Sequence, residues 1–211
     1  MNDLTAKARI RDAAMQLFGE VGYERATTRA IAERAGVTSG LIRHHYGSKE
    51  RLLAACDEWI IELIQRLEAQ IAADAGLLSP LEAIGPYRQY LARALFEGRA
   101  TAVFDHMVAS TQTWLTIADQ AQADPPDTPV RARATVQTAF ALAIGMLAPH
   151  VSRGLHADIT TPEGEHLLLQ ALLDLYSHPI LTSQQAQHYR AELEATYKRR
   201  RADTDAARRN G

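Results

Sequence analysis

The chain has 211 residues, 46% of them hydrophobic and 23% charged, which is enough for one large domain or for a small domain beside a larger one. Its single cysteine, Cys56, excludes an intramolecular disulfide and fits a reducing compartment. No run of about 18 apolar residues occurs, and residues 1–14 hold no apolar signal core, so no membrane span and a cytoplasmic location are expected.

Ala, Leu, Glu, Gln and Arg dominate and β-branched runs are missing, which predicts an all-α protein. Ile10, Ala13, Ala14, Leu17, Phe18 and Val21 keep the spacing of one buried helical face and predict a helix over residues 5–21, ended by Gly22. Ala30, Ile31, Ala32 and Ala35 give a second, short helix an apolar side. Gly36 stands where a helix closes in the left-handed conformation that glycine adopts cheaply. Thr38 then caps a third short helix, Ser39 to His45. Ser48 caps the next, with Lys49 and Glu50 in its first turn, and a stripe from Leu52 through Cys56, Ile60, Leu63 and Leu67 carries it to about Ala73. Such a helix spans about 37 Å. It can join a small amino-terminal domain, residues 1–53, to a larger helical one, residues 54–211.

Ser79-Pro80-Leu81-Glu82 combines a serine cap, a proline at the first helical position and a glutamate at the third, and opens a helix expected to reach Glu97. Helices are expected over residues 100–110 and 112–122. Asp124 to Pro129, DPPDTP, is a loop. A helix over 130–151 follows, bent or ended by Pro149. After a loop over 156–161, Thr161-Pro162 opens a helix to Ser177, which His178-Pro179 stops. Thr182 and Gln185 form a capping box for a last helix to about Arg201.

Net charge is −2, but its distribution matters more. Residues 1–51 carry nine Lys+Arg against six Asp+Glu, residues 52–197 eight against seventeen, and the tail 198–211 six against two. The positive folded segment is the one with the two short helices, as expected where one small domain meets phosphates. Those helices and their tight turn read as a helix-turn-helix. Ser39, Arg43, His44 and His45 all carry donors, and Gly40 lets a backbone come close to a partner. A helix this short fits the major groove of DNA, where Arg43 is suited to paired contacts with guanine. Thr27 and Thr28 open the first helix of the pair and Lys49 opens the long helix, where unpaired backbone N–H groups attract phosphate.

Residues 5–55 resemble the DNA-binding domain of the tetracycline-repressor-like (TetR) family. The resemblance rests on the apolar helix Ile10 to Val21, on Gly22-Tyr23, on TTRAIAERAGVTSGLI and on HHYGSKERLL, which is similar to the family's Tyr-His-Phe-x-x-Lys-x-x-Leu signature. His44 stands where the family usually has tyrosine, and Tyr46 where it usually has phenylalanine. The resemblance implies that His45, Tyr46 and Lys49 hold phosphates. The candidate DNA-binding residues are thus Thr27, Thr28, Thr38, Ser39, Gly40, Arg43, His44, His45, Tyr46 and Lys49.

The resemblance further implies a homodimeric regulator, most often a repressor, on a palindromic double-stranded DNA operator. Its last two core helices would form a two-fold interface, here with Ile144, Leu147, Leu169 and Leu173. Its middle region would enclose a small-molecule effector, here beside Phe104, Met107, Trp114 and Phe140. Effector binding would change the separation of the two recognition helices and release the DNA. No cofactor is expected, and His150, His156 and His166 lack metal-ligand spacing. Two other readings stay open. One is a helical enzyme with its chemistry in residues 75–211, for which no nucleophile elbow, phosphate loop or paired-carboxylate motif speaks. The other is a ligand-independent DNA-binding or partner protein.

Overall fold

The computed structural model describes residues 3–74, 85–178 and 180–209. The helix start at Ser79-Pro80 lies outside them. The described residues form helices and no strand: α1 (Asp3–Val21), α2 (Thr28–Ala35), α3 (Ser39–Tyr46), α4 (Lys49–Asp74), a 3-10 turn (Gly85–Tyr87), α5 (Arg88–Phe96), α6 (Thr101–Gln120), α7 (Val130–Met146), α8 (Ala148–Leu155), α9 (Pro162–Ser177) and α10 (Ser183–Arg209).

Local chemistry sets the short elements. The Thr27 hydroxyl accepts from the Ala30 amide at 3.1 Å and starts α2. Gly36, at φ +65°, ends it, and the Val37 amide donates back to the Ala32 carbonyl at 3.0 Å. Thr38 then accepts from the Leu41 amide and starts α3. The expected Thr161 helix start and the Thr182–Gln185 capping box are present too. Thr161 accepts from Gly164, and Thr182 and Gln185 bond each other's amides at 3.0 and 3.2 Å.

Three expectations need correction. Residues 100–110 and 112–122 are not two helices but one, α6. No glycine or proline lies near the supposed break, and the Thr111 hydroxyl there bonds that of Thr138 on α7 at 3.1 Å. Residues 130–151 are not one helix: α7 and α8 meet at Leu147 with their axes turned by 79°. Pro149 lacks the N–H that would have reached the Gly145 carbonyl, so the break falls before the proline. The last helix runs on past Arg201 to Arg209.

α1, α2, α3 and the first half of α4 pack around Ile10, Ala14, Phe18, Ile31, Ile42, Leu52, Cys56 and Ile60, all buried. The same core continues through Tyr90 and Leu91 of α5 to Val103 of α6. α5 therefore docks directly on the helix-turn-helix unit. Gly19 makes the approach possible, since a Cβ there would lie 2.9 Å from the Tyr90 backbone nitrogen. α6 and α7 form a hairpin across the 121–129 loop, closed by an Arg133–Asp119 ion pair. A smaller cluster of Ala148, Ile159 and Leu168 joins α8, α9 and their connection.

Candidate nucleic-acid interface

α3 has two unlike sides. Ile42 and Tyr46 point into the core, while Ser39, Gly40, Arg43 and His44 are exposed together. Positions i, i+1, i+4 and i+5 share one helical face, so these four form one outward strip. A Cβ at Gly40 would meet only the Thr38 hydroxyl at 3.8 Å, an ordinary contact. Nothing within the chain demands glycine there.

The strip is held rigidly from behind. Tyr46 is 7% exposed and its hydroxyl donates to the Lys7 carbonyl at 2.8 Å. Burial pushes the phenol up to about 12. Tyr46 therefore anchors α3 on α1, the packing role that an aromatic at this position can take in place of a phosphate contact. The His44 and His45 rings meet edge-on with centroids 5.3 Å apart. His45 is half-buried beside Tyr46.

Hydroxyl and ammonium groups flank the strip. Thr27, Thr28 and Thr38 are exposed at the starts of α2 and α3. Lys49 begins α4, its ammonium 4.2 Å from the Tyr23 ring centroid and 3.4 Å from the Glu24 carbonyl. Sequence reasoning gave Tyr23 no role, although Gly22-Tyr23 was conspicuous. Its hydroxyl donates to Glu50 at 3.0 Å, its amide to Glu97 at 3.2 Å, and burial, then the Glu50 bond, raises its phenol to about 12. Glu50, with its own backbone amide, Ser48 and Tyr23 as partners, is held below the usual carboxylate range.

The remaining candidates divide. Phe104, Met107, Trp114 and Phe140 do not surround one cavity, which corrects the expectation. Trp114 and Phe140 are 55% and 68% exposed. α7 turns Ala134 and Thr138 inward, which leaves Phe140 on its outer side. Met107 lines an apolar chamber between α5, α6, α7 and α9, and Phe104 a neighbouring cleft that shares Leu95, Leu142 and Met146 with it. Of the four residues expected at a two-fold interface, Leu147 and Leu173 are more than half exposed. Ile144 and Leu169 instead line that chamber. The surface of α7 and α9 nevertheless carries Val136, Phe140, Leu173 and Tyr176, with Leu147 at the α7–α8 junction, all exposed. Among the described residues, no three His, Cys, Asp or Glu are grouped to hold a metal, and no single helix is long and apolar enough to cross a membrane.

Comparison with known proteins adds to this geometry. The family model described as bacterial regulatory proteins, tetR family, matches residues 10–56. The chain is 36% identical over 140 residues to the HTH-type transcriptional regulatory protein RaaS of Mycobacterium tuberculosis, a match covering 63% of this chain and 66% of that one. It is 31% identical over 168 residues to the HTH-type transcriptional regulator Mb3439c of Mycobacterium bovis, covering 77% and 82%. Thus the match spans just under two thirds of RaaS. The fold is similar to that of a gamma-butyrolactone receptor described as ArpA-like, at a TM-score of 0.54, 23% identity and coverage of 82% and 97%.

Proposed function

We propose that this chain, which belongs to the tetR family of bacterial regulatory proteins, is a transcriptional repressor that grips a palindromic operator as a homodimer and lets go when a small molecule binds. The family is one of transcriptional regulators and not of enzymes. The observation that carries the reading is the outward strip Ser39, Gly40, Arg43 and His44 on a helix anchored by Ile42 and Tyr46. Residues 1–53 supply the DNA-binding unit and residues 54–211 the regulatory and dimerising one. The protein acts in the cytoplasm, beside its DNA.

One α3 reaches few bases, so binding takes two half-sites about 34–36 Å apart and hence two chains. The exposed apolar residues of α7 and α9, Leu173 among them, and Leu147 at the α7–α8 junction form the contact between the copies. Arg43 reads guanine, while His45, Lys49 and the threonines at the helix starts hold phosphates. The effector enters between α5, α6, α7 and α9, and α5 transmits the change to α1. Effector and operator then bind two different spacings of the recognition helices, which makes their affinities reciprocal.

A footprint on the DNA flanking the protein's own gene tests this. A protected palindrome, lost with Arg43→Ala, supports the reading. No protection of any duplex at low salt sinks it.

A further inference from the structure

The apolar chamber between α5, α6, α7 and α9 has a volume of about 210 Å³ and is walled by Leu91, Leu95, Met107, Leu142, Leu168 and Leu172, among others. Among the described residues lining it, Arg88 is the one that carries a charge. The chamber borders a second space. Arg88, Ala92, Gly145 and Met146 also line a second groove, of mixed polar and apolar lining and about 960 Å³, that is open to solvent. Those four residues are shared by the two walls, so a ligand that passes between them would run from an apolar room into the groove.

Volume decides what fits. Ligand pockets usually measure about 300–1,000 Å³. The chamber alone falls below that range, so a ligand seated in it extends past the shared residues. Its inner end must be apolar, because among the described lining residues no side chain other than Arg88 can satisfy a polar group. Its outer end meets Arg88 at the shared wall, with Arg93 in the groove beyond. Of the two carboxylates on the groove, Glu20 pairs with Arg34 at 2.6 Å, and the Asp158 Oδ1 accepts from the Thr160 amide and hydroxyl at 2.9 and 2.8 Å. Thr160 first, then the nearby Arg88 charge, hold the Asp158 carboxyl below the usual carboxylate range, so a head group on Arg88 competes with Asp158. A guanidinium beside an apolar wall favours a carboxylate or phosphate, which it can hold with two parallel bonds.

We propose that the effector is a single-chain amphiphile, its apolar tail in the chamber and its anionic head on Arg88. This rests on the reading of the chain as a ligand-released regulator. It also places the head beside Gly19 and Glu20 of α1, so that an occupied groove bears on the helix that anchors α3.

Titration calorimetry on the full chain tests the proposal with decanoate, decyl phosphate, decanol and decyltrimethylammonium. Decanoate or decyl phosphate should bind at least about tenfold more tightly than decanol, and the ammonium most weakly. Arg88→Gln should bring the anions level with decanol and leave decanol unchanged. Ala92→Phe, at the shared wall, should block all four while the melting curve stays cooperative. Equal binding of anion and alcohol, an anion preference that survives Arg88→Gln, or no binding of any of the four overturns the proposal. Operator footprints on the same preparations without ligand separate the two readings. Protection without amphiphile binding defeats this inference alone, and amphiphile binding without protection defeats the regulator.

Discussion

The Arg99 guanidinium lies 4.0 Å from the centroid of the Tyr23 ring. One residue follows α5 and the other precedes α2, so this stack ties the chamber-lining helix to the helix-turn-helix unit. Around it, Glu97 accepts from the Tyr23 amide and Arg99 pairs with Glu24 at 2.5 Å. Arg99→Ala should cost about 0.5–1 kcal/mol through the lost stack. The exposed Glu24 pair adds little. Denaturant unfolding measures the cost, and an unchanged midpoint would remove the stack from the account.

Arg43 and Lys49 should fail differently. Arg43→Ala should relax preference at one base position per half-site by about 1–3 kcal/mol. Lys49→Ala should weaken binding to all operator variants alike and reduce the salt slope by about one. A panel of single-base operator variants, titrated at several salt concentrations, separates the two. Equal effects on every variant would contradict the division between base and phosphate contacts.

Gly40→Ala should dissociate stability from binding. The added methyl meets only Thr38 within the chain, so the free protein should be unchanged or more stable by up to about 0.5–1 kcal/mol. Operator affinity should fall, because the methyl stands on the face that α3 turns toward the bases. Melting temperature and operator titration, measured together, check this. Unchanged affinity would show that α3 does not approach DNA at Gly40.

What the residues made legible was what local chemistry decides. Thr27, Gly36 and Thr38 act within one turn of their own positions, so the limits of α2 and α3 could be read directly. The 124–129 loop was equally plain, because its prolines exclude a helix. Orientation was less legible. α7 is apolar on several sides, so Phe140 could not be placed outward before its hairpin with α6 was known. The chamber was not legible either. It arises where α5, α7 and α9 converge, far apart in the chain, and Arg88 gains meaning only there.

Alkaline unfolding should report the buried phenols, Tyr23, Tyr46 and Tyr90, of which burial raises Tyr90 furthest. Tyr23 and Tyr46 are both pushed from 10.0 up to about 12, mainly by burial. The folded value is the higher one, so their contribution is complete below pH 10 and is lost as pH rises through 12. Stability should therefore fall across that window, and Tyr46→Phe should make the fall shallower. Tyr46→Phe should also cost about 1 kcal/mol at neutral pH by losing the bond to Lys7. Chemical denaturation between pH 9 and pH 12 gives both quantities, and a slope unaffected by Tyr46→Phe would refute the assignment.

Gly19→Ala should strike the seam between α1 and α5. The new Cβ would lie 2.9 Å from the Tyr90 nitrogen and 3.1 Å from the Gln89 carbonyl carbon, both backbone atoms that no rotamer change can clear. The helices must part by a few tenths of an ångström, at a cost of about 1–3 kcal/mol. Helix propensity alone would predict the opposite sign, a gain of about 1 kcal/mol for replacing a mid-helix glycine. The sign of the change therefore decides whether close approach or propensity governs this position. The same separation would disturb Tyr90, whose hydroxyl donates to Asp57 at 2.5 Å. Urea unfolding of Gly19→Ala beside the parent chain measures the sign, and a stabilised variant would show that α5 does not press on α1 as the structure has it.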